Sequence, residues 1–176
     1  MKKITLKVGA LAVTGVLALT GCASGNPQVA AYVDDTQISQ AQVDAMSTVV
    51  VNTGTATTGA AARTLVVQVL IVNQVARVAA ASRGFSVTDA ERQQVLAANA
   101  GLAKLAQDPV TKDFVNDYIT AYELTQTDAG RNAFNDQFAK TTIRVNPRFG
   151  VWDPKQDGFV DGSTGSISSI APIKQE

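Results

Sequence analysis

The sequence predicts a mainly α fold, a compact helical domain of about five helices closed by a short two-stranded β pairing between its N-terminal and C-terminal segments. Three observations predict it. Between residues 39 and 140, apolar side chains recur at helical spacing, not in alternation. Helix start and stop residues punctuate that stretch at Ser39, Gly84, Thr88 and Asp108-Pro109. Only two short β-branched or apolar runs, residues 29–33 and 142–146, read as strands, so each has only the other as a partner.

The chain opens with a segment that reads as an export signal. Met1-Lys2-Lys3 and Lys7 form a basic start, and Val8 to Thr20 is uncharged and mostly apolar. That run is shorter than the roughly 20 residues a membrane-spanning helix needs. It ends in Leu19-Thr20-Gly21-Cys22, which resembles the bacterial lipobox: an aliphatic residue, two small residues, then cysteine. The resemblance implies S-diacylglyceryl and N-acyl modification of Cys22 and cleavage between Gly21 and Cys22. Residues 22–28 would then be a lipidated tether, reaching roughly 20 Å when extended at about 3.5 Å per residue.

Val29 to Val33 reads as a strand ended by an Asp34-Asp35 turn. Ser39 and Gln42 have capping-box spacing, and Val43, Met46 and Val50 follow as one buried stripe. Asn52 to Ala60 is small and polar, a loop with no Gly-Lys-Ser/Thr to make it a phosphate cradle. Arg63 to Ser82 is apolar nearly all round, with Leu65, Val69, Val72 and Val75 on one face and Val66, Leu70, Ile71 and Val78 widening it. Such a helix belongs in the middle of a bundle, and Gly84 stops it. Gln68, Asn73, Gln74 and Arg77 argue against a membrane span.

Thr88 and Glu91 have capping-box spacing for a further helix, and Asp108-Pro109 reads as the cap and first residue of the next. That helix carries the stripe Phe114, Val115, Tyr118, Ile119 and Tyr122. A last helix spans residues 128–140, with Phe134 and Phe138 four apart. The domain is expected to cover residues 29–152. Residues 153–176, rich in Gly, Ser and Asp, are expected to be an irregular tail.

Composition excludes several chemistries. The chain has 176 residues, no histidine and one cysteine, so histidine-dependent triads, thiol–histidine pairs and Cys/His zinc sites are all out of reach. Without residues 1–21, 12 basic residues face 15 acidic ones, which gives no broad basic surface for nucleic acid. No catalytic residue set and no cofactor motif is present, and the chain is not read as an enzyme.

Val29 to Met46 (VAAYVDDTQISQAQVDAM) resembles the entry of the SurA/PrsA family of extracytoplasmic chaperones: strand, turn, Ile-Ser, helix. Leu65 to Glu91 is similar to that family's next element. It has an apolar helix with Gln74 and Ala76, a stop at Gly84, then Phe85, Val87, Thr88, Asp89 and Glu91. Val145 to Asp153 resembles the closing segment of short lipoproteins of this group. The resemblance spans roughly residues 29–153. It implies a domain whose C-terminal stretch returns to complete the N-terminal lobe, and binding of unfolded or partly folded exported polypeptides. The parvulin prolyl isomerase module of many members has no room here.

Three groups of side chains could carry chemistry. Phe114, Tyr118 and Tyr122 suit either the core or a groove for apolar client segments. Asp113 and Asp117 share a helix face, where paired carboxylates could exchange protons in a cleft or simply face water. Asp153, Asp157 and Asp161 vaguely resemble a calcium loop, but its third and twelfth positions are Lys155 and Thr164, so no metal site is assigned. The expected function is an ATP-independent, membrane-anchored chaperone on the extracytoplasmic face of the cell membrane. The alternative is an adaptor or structural component of an envelope complex.

Overall fold

A computed structural model describes residues 26–153, Lys155 and residues 158–160. β1 (Val29–Val33) runs into β2 (Thr36–Ser39) through a tight turn at Asp34-Asp35, and β3 (Ile143–Val145) returns on the other side of β1. Both pairings are antiparallel, giving the strand order β2-β1-β3. The expected pairing of the two chain ends is present, but the sheet has three strands, not two. Residues 36–39 escape a sequence reading because only Ile38 faces inward, too little alternation to register as a strand.

The β1–β3 joint is pinned at both ends. Asp34 takes a left-handed conformation (φ 51°), tolerable for a short polar side chain that can bond locally. Its amide donates to the Thr142 carbonyl at 2.8 Å, and its Oδ1 accepts from the Thr142 amide at 2.7 Å. At the other end, the Asn146 amide donates to the Ala30 carbonyl (2.8 Å) and Asn146 Nδ2 to the Val29 carbonyl (3.1 Å). Between them the Arg144 guanidinium lies over the Tyr32 ring, 5.1 Å from its centre, a cation–π contact across the pair.

α1 (Gln40–Asn52) starts at Ser39, whose hydroxyl accepts from the Gln42 amide, so the cap works in one direction only. Val43, Met46 and Val50 are buried as expected. α2 (Gly59–Arg83) is the central helix: it packs against α1 and β1 and, nearer the C-terminus, against α5 (Lys112–Thr125), α6 (Asp128–Lys140), the Pro147–Phe149 3-10 turn and the strand Gly158–Val160. Gly84, left-handed at φ 60°, stops it, and the Gly84 and Phe85 amides satisfy the Ala81 and Ala80 carbonyls of its last turn. By length and composition α2 could cross a bilayer, yet Val66, Val67, Ile71 and Val75 lie at the domain's centre. Val66 and Ile71 of the residues expected to widen its apolar face, and Val75 of the expected stripe, thus carry the core together with Val67. Leu65 and Val78, by contrast, are about two-fifths exposed (38% and 40%).

α3 (Asp89–Ala98) has the full reciprocal capping box. Thr88 Oγ1 accepts from the Glu91 amide while Glu91 Oε2 accepts from the Thr88 amide and hydroxyl, both at 2.7 Å. Six helices form among the described residues where about five are expected, because extended backbone at Asn99 breaks the chain before α4 (Ala100–Gln107). Asn99 Oδ1 accepts from the Leu102 amide, trading one more helical turn for a cap. A second correction falls at Asp108-Pro109, which does not open α5. Asp108 Oδ1 instead accepts from the Val110 amide in a local turn, and Thr111, fully buried, donates its hydroxyl to the Leu105 carbonyl at 2.6 Å. That buried bond holds the helix start three residues later than the sequence implies.

α6 begins against the end of α5. A Cβ on Gly130 would collide with the Leu124 carbonyl, so only glycine lets the two backbones meet. Past the 3-10 turn, β4 (Val151–Asp153) and β5 (Gly158–Val160) form an antiparallel hairpin where an irregular tail is expected from Asp153 onward. Apolar packing explains the ordering: Trp152 meets Phe159 edge-on at 5.4 Å and lies 6.4 Å from Phe138, extending the Phe134–Phe138 pair. Trp152 therefore anchors the returning chain.

Two expectations test this packing. Gly130→Ala overpacks a backbone contact and is expected to cost about 2–3 kcal/mol, read from the urea midpoint against wild type. The Thr88 hydroxyl, then the Thr88 amide, hold the Glu91 carboxyl below its ordinary value. A depressed carboxyl stabilises the fold above the unfolded value, and that contribution fades as pH falls through the folded one. Acidification below pH 4.5 should therefore fray α3, seen as lower amide protection factors over residues 89–92 once the pH dependence of the intrinsic exchange rate is divided out. Thr88→Ala, which keeps the backbone amide and loses the hydroxyl, should weaken that dependence.

Candidate functional site

The feature with the most binding potential is a gap in the cover of α2. α4 packs chiefly on α5 and α3, and its contact with α2 is slight. Between them lies a groove of about 220 Å³, walled by Leu65 and Val69 of α2, Leu102 and Leu105 of α4, and Phe114 and Tyr118 of α5. Its origin is local. α4 has only eight residues and sinks Leu105 completely, leaving Leu102 half-buried beside the exposed Leu65.

The groove is apolar within, and part of its polar rim is already engaged. Asn99 Oδ1 is occupied by the Leu102 amide, and the Thr55 hydroxyl bonds to the Thr53 hydroxyl at 3.1 Å. A guest therefore gains contact area here and few directional bonds. Dispersion and desolvation favour one large aliphatic or aromatic side chain, and about 220 Å³ is room for little more.

Of the three aromatic residues singled out from sequence, the groove unites two. Phe114 is buried in its wall and Tyr118 is half-buried within reach of a guest. Tyr122, 45% exposed, lies outside the groove. Leu65, Val69, Leu102 and Leu105 were not singled out as site residues. The signal for the α4 pair was the i, i+3 spacing in Gly101-Leu102-Ala103-Lys104-Leu105, masked by reading α3 and α4 as one helix.

Gly21 and Cys22 lie outside the described residues, as do Asp157 and Asp161 of the acidic tail. Asp153 sits in β4, and among the described residues no three His, Cys, Asp or Glu side chains gather as metal ligands would. Asp113 and Asp117 are both exposed on α5. Desolvation pushes the Asp117 carboxyl up; the nearby Arg77 guanidinium opposes the shift and the Asp113 charge adds to it. A raised carboxyl binds its proton more tightly when folded, so stability falls as pH rises from 3.8 through the folded value. Asp117→Asn should flatten thermal stability across that interval, in melts taken in steps from pH 3 to pH 6.

No protein-family model, no curated protein and no solved structure matches this chain, so its functional reading rests on its own residues and geometry.

Proposed function

We propose that the chain is an exported lipoprotein, held to the extracytoplasmic face of the cell membrane through acylated Cys22, that acts as an ATP-independent chaperone. It would take apolar side chains of unfolded or partly folded exported polypeptides into the groove between α2, α4 and α5. The single observation that carries the reading is an open apolar groove beside the central helix, with Leu65 left 38% exposed at its edge. Support comes from the lipobox-like Leu19 to Cys22, and from the likeness of residues 29–153 to SurA/PrsA chaperones. No covalent step, cofactor or prolyl isomerisation enters.

Magnitudes fit a transient holder. Full burial of one leucine- or phenylalanine-sized side chain contributes about 2–3 kcal/mol, or roughly 30- to 150-fold in a binding constant. That is weak alone. Confinement of chaperone and emerging client near the same membrane raises their effective concentration, and release needs no energy source.

The size of the groove also favours the adaptor reading, because a socket for one side chain suits a single defined partner as well as many passing ones. The two readings separate in one comparison. Purified protein at several-fold excess should suppress light scattering from an aggregating exported protein. Leu65→Glu, tolerable at an exposed position, should reduce that protection several-fold with Tm unchanged. No protection, alongside one stoichiometric partner in pull-downs from membranes, would favour the adaptor. The mass of the N-terminal peptide tests the anchor separately.

A further inference from the structure

α4 walls one side of the groove, and α3 is the arm that leads to it. Of the helices, these two are the least committed to the core. α3 buries no residue and α4 buries only Leu105, whereas α5 beside them buries five. Each nevertheless secures its own helical form. The Thr88–Glu91 capping box starts α3, and the Asn99 side chain caps α4. A helix capped from within its own sequence can move as a rigid body, and a segment with few buried contacts opens at low free energy.

The attachments of this arm define how it can move. At its C-terminal end Leu105 is 2% exposed, and its carbonyl accepts from the buried Thr111 hydroxyl at 2.6 Å, which makes a fixed pivot. At its N-terminal end, residues 85–87 form neither helix nor strand between the Gly84 stop and the Thr88 cap. Between these points Arg92 Nη1 donates to Asn116 Oδ1 at 3.1 Å, and Val95, Leu96 and Leu102 lie half-buried against the core. The tip, residues 99–102, rests on the loop between α1 and α2. A Cβ placed on Gly101 would lie 3.8 Å from Thr55 Oγ1. Asn99 Oδ1 is engaged by the Leu102 amide and the Thr55 hydroxyl by that of Thr53, so among the described residues contact alone closes this seam.

We infer that α3 and the first turn of α4 form a lid on the groove, and that residues 88–102 swing away from α2 about Leu105 to admit a client. The inference rests on the chaperone reading of that groove. Closed, the groove holds about 220 Å³, room for one side chain, whereas an unfolded segment presents several. Opening breaks the Arg92–Asn116 bond and the half-buried contacts of Val95, Leu96 and Leu102, but draws no fully buried lid residue out of the core. A second apolar side chain of the client, laid on Leu65 and Val69, replaces the contacts the lid gives up. The client thus shifts the lid toward the open form because it binds that form better.

The test is a reversible lock on the full chain, isolated from membranes in detergent. Thr55→Cys with Gly101→Cys brings two thiols within reach of a disulfide, whose Cβ atoms lie about 3.5–4.5 Å apart. Reduced, this variant should suppress aggregation of an exported protein as wild type does. Oxidised, it should suppress about fivefold less, with Tm no lower. Arg92→Gln, which loosens the lid, should raise suppression about twofold. Hydrogen exchange reads the lid without a client. Protection factors over residues 92–98 should be about 100-fold below those over residues 115–124, and oxidation of the cysteine pair should raise them about tenfold. Equal protection of the two stretches would overturn the lid. Undiminished suppression by the oxidised pair would overturn its part in client binding and leave the chaperone reading standing. If wild type and both variants fail to suppress aggregation, the chaperone reading falls, and the exchange contrast still decides whether the lid exists.

Discussion

A 25-residue helix with apolar groups on almost every side gains free energy only from the sides that other elements cover. α2 is that helix, and the rest of the domain can be understood as its wrapping. α1 folds back on it through the Thr53–Thr58 loop, α5 and α6 pack along it, and the sheet and the 3-10 turn meet it as well. Where the wrapping is short of material, at the eight-residue α4, Leu65 and Val69 stay partly open and a groove results. The candidate site is thus a by-product of how the core is closed. A longer or straighter α4 laid on α2 would fill it.

Helix caps are local, but the wrapping has to be held shut by contacts far apart in sequence. Asp34 with Thr142, and Asn146 with Val29, bridge separations of 108 and 117 residues. The entropy of closing so long a loop grows only slowly with length, so a few well-placed bonds and one buried strand can suffice. Each pin bonds backbone groups of its partner strand, which fixes register as well as proximity. Buried polar exceptions are few. Asn73 spends its amide N–H on the Phe114 carbonyl at 3.0 Å, joining α2 to the first turn of α5.

What the sequence disclosed follows the range of the interactions involved. Ser39, Thr88 and Gly84 act within one turn, and all three delimit helices as their residue types suggest. Asp108-Pro109 misleads because a longer-range contact, the buried Thr111–Leu105 bond, competes with a good local cap and wins. β2 stayed hidden because a four-residue edge strand exists only by virtue of β1 beside it. Likewise the β4–β5 hairpin is ordered by the contact of Trp152 with Phe159 and with Phe138 of α6, which its Gly- and Asp-rich composition does not announce. The groove was half legible: Phe114 and Tyr118 stood out as aromatic residues, whereas the exposure of Leu65 depends on which neighbours happen to pack where.

The placement of β1 has a mechanical consequence. It is the middle strand of its sheet, and the chain enters it from Asn26 through a turn that the Val29 amide closes on the Asn26 carbonyl. Once that turn is drawn out, a pull at that end directed along the strand axis loads the ladders to β2 and β3 together, in shear. An edge strand pulled crosswise would instead unzip one bond at a time under a much smaller force. The domain is therefore built to be hauled or jostled by its leading end without coming undone, with the load shared between two neighbours before any of it reaches the helices.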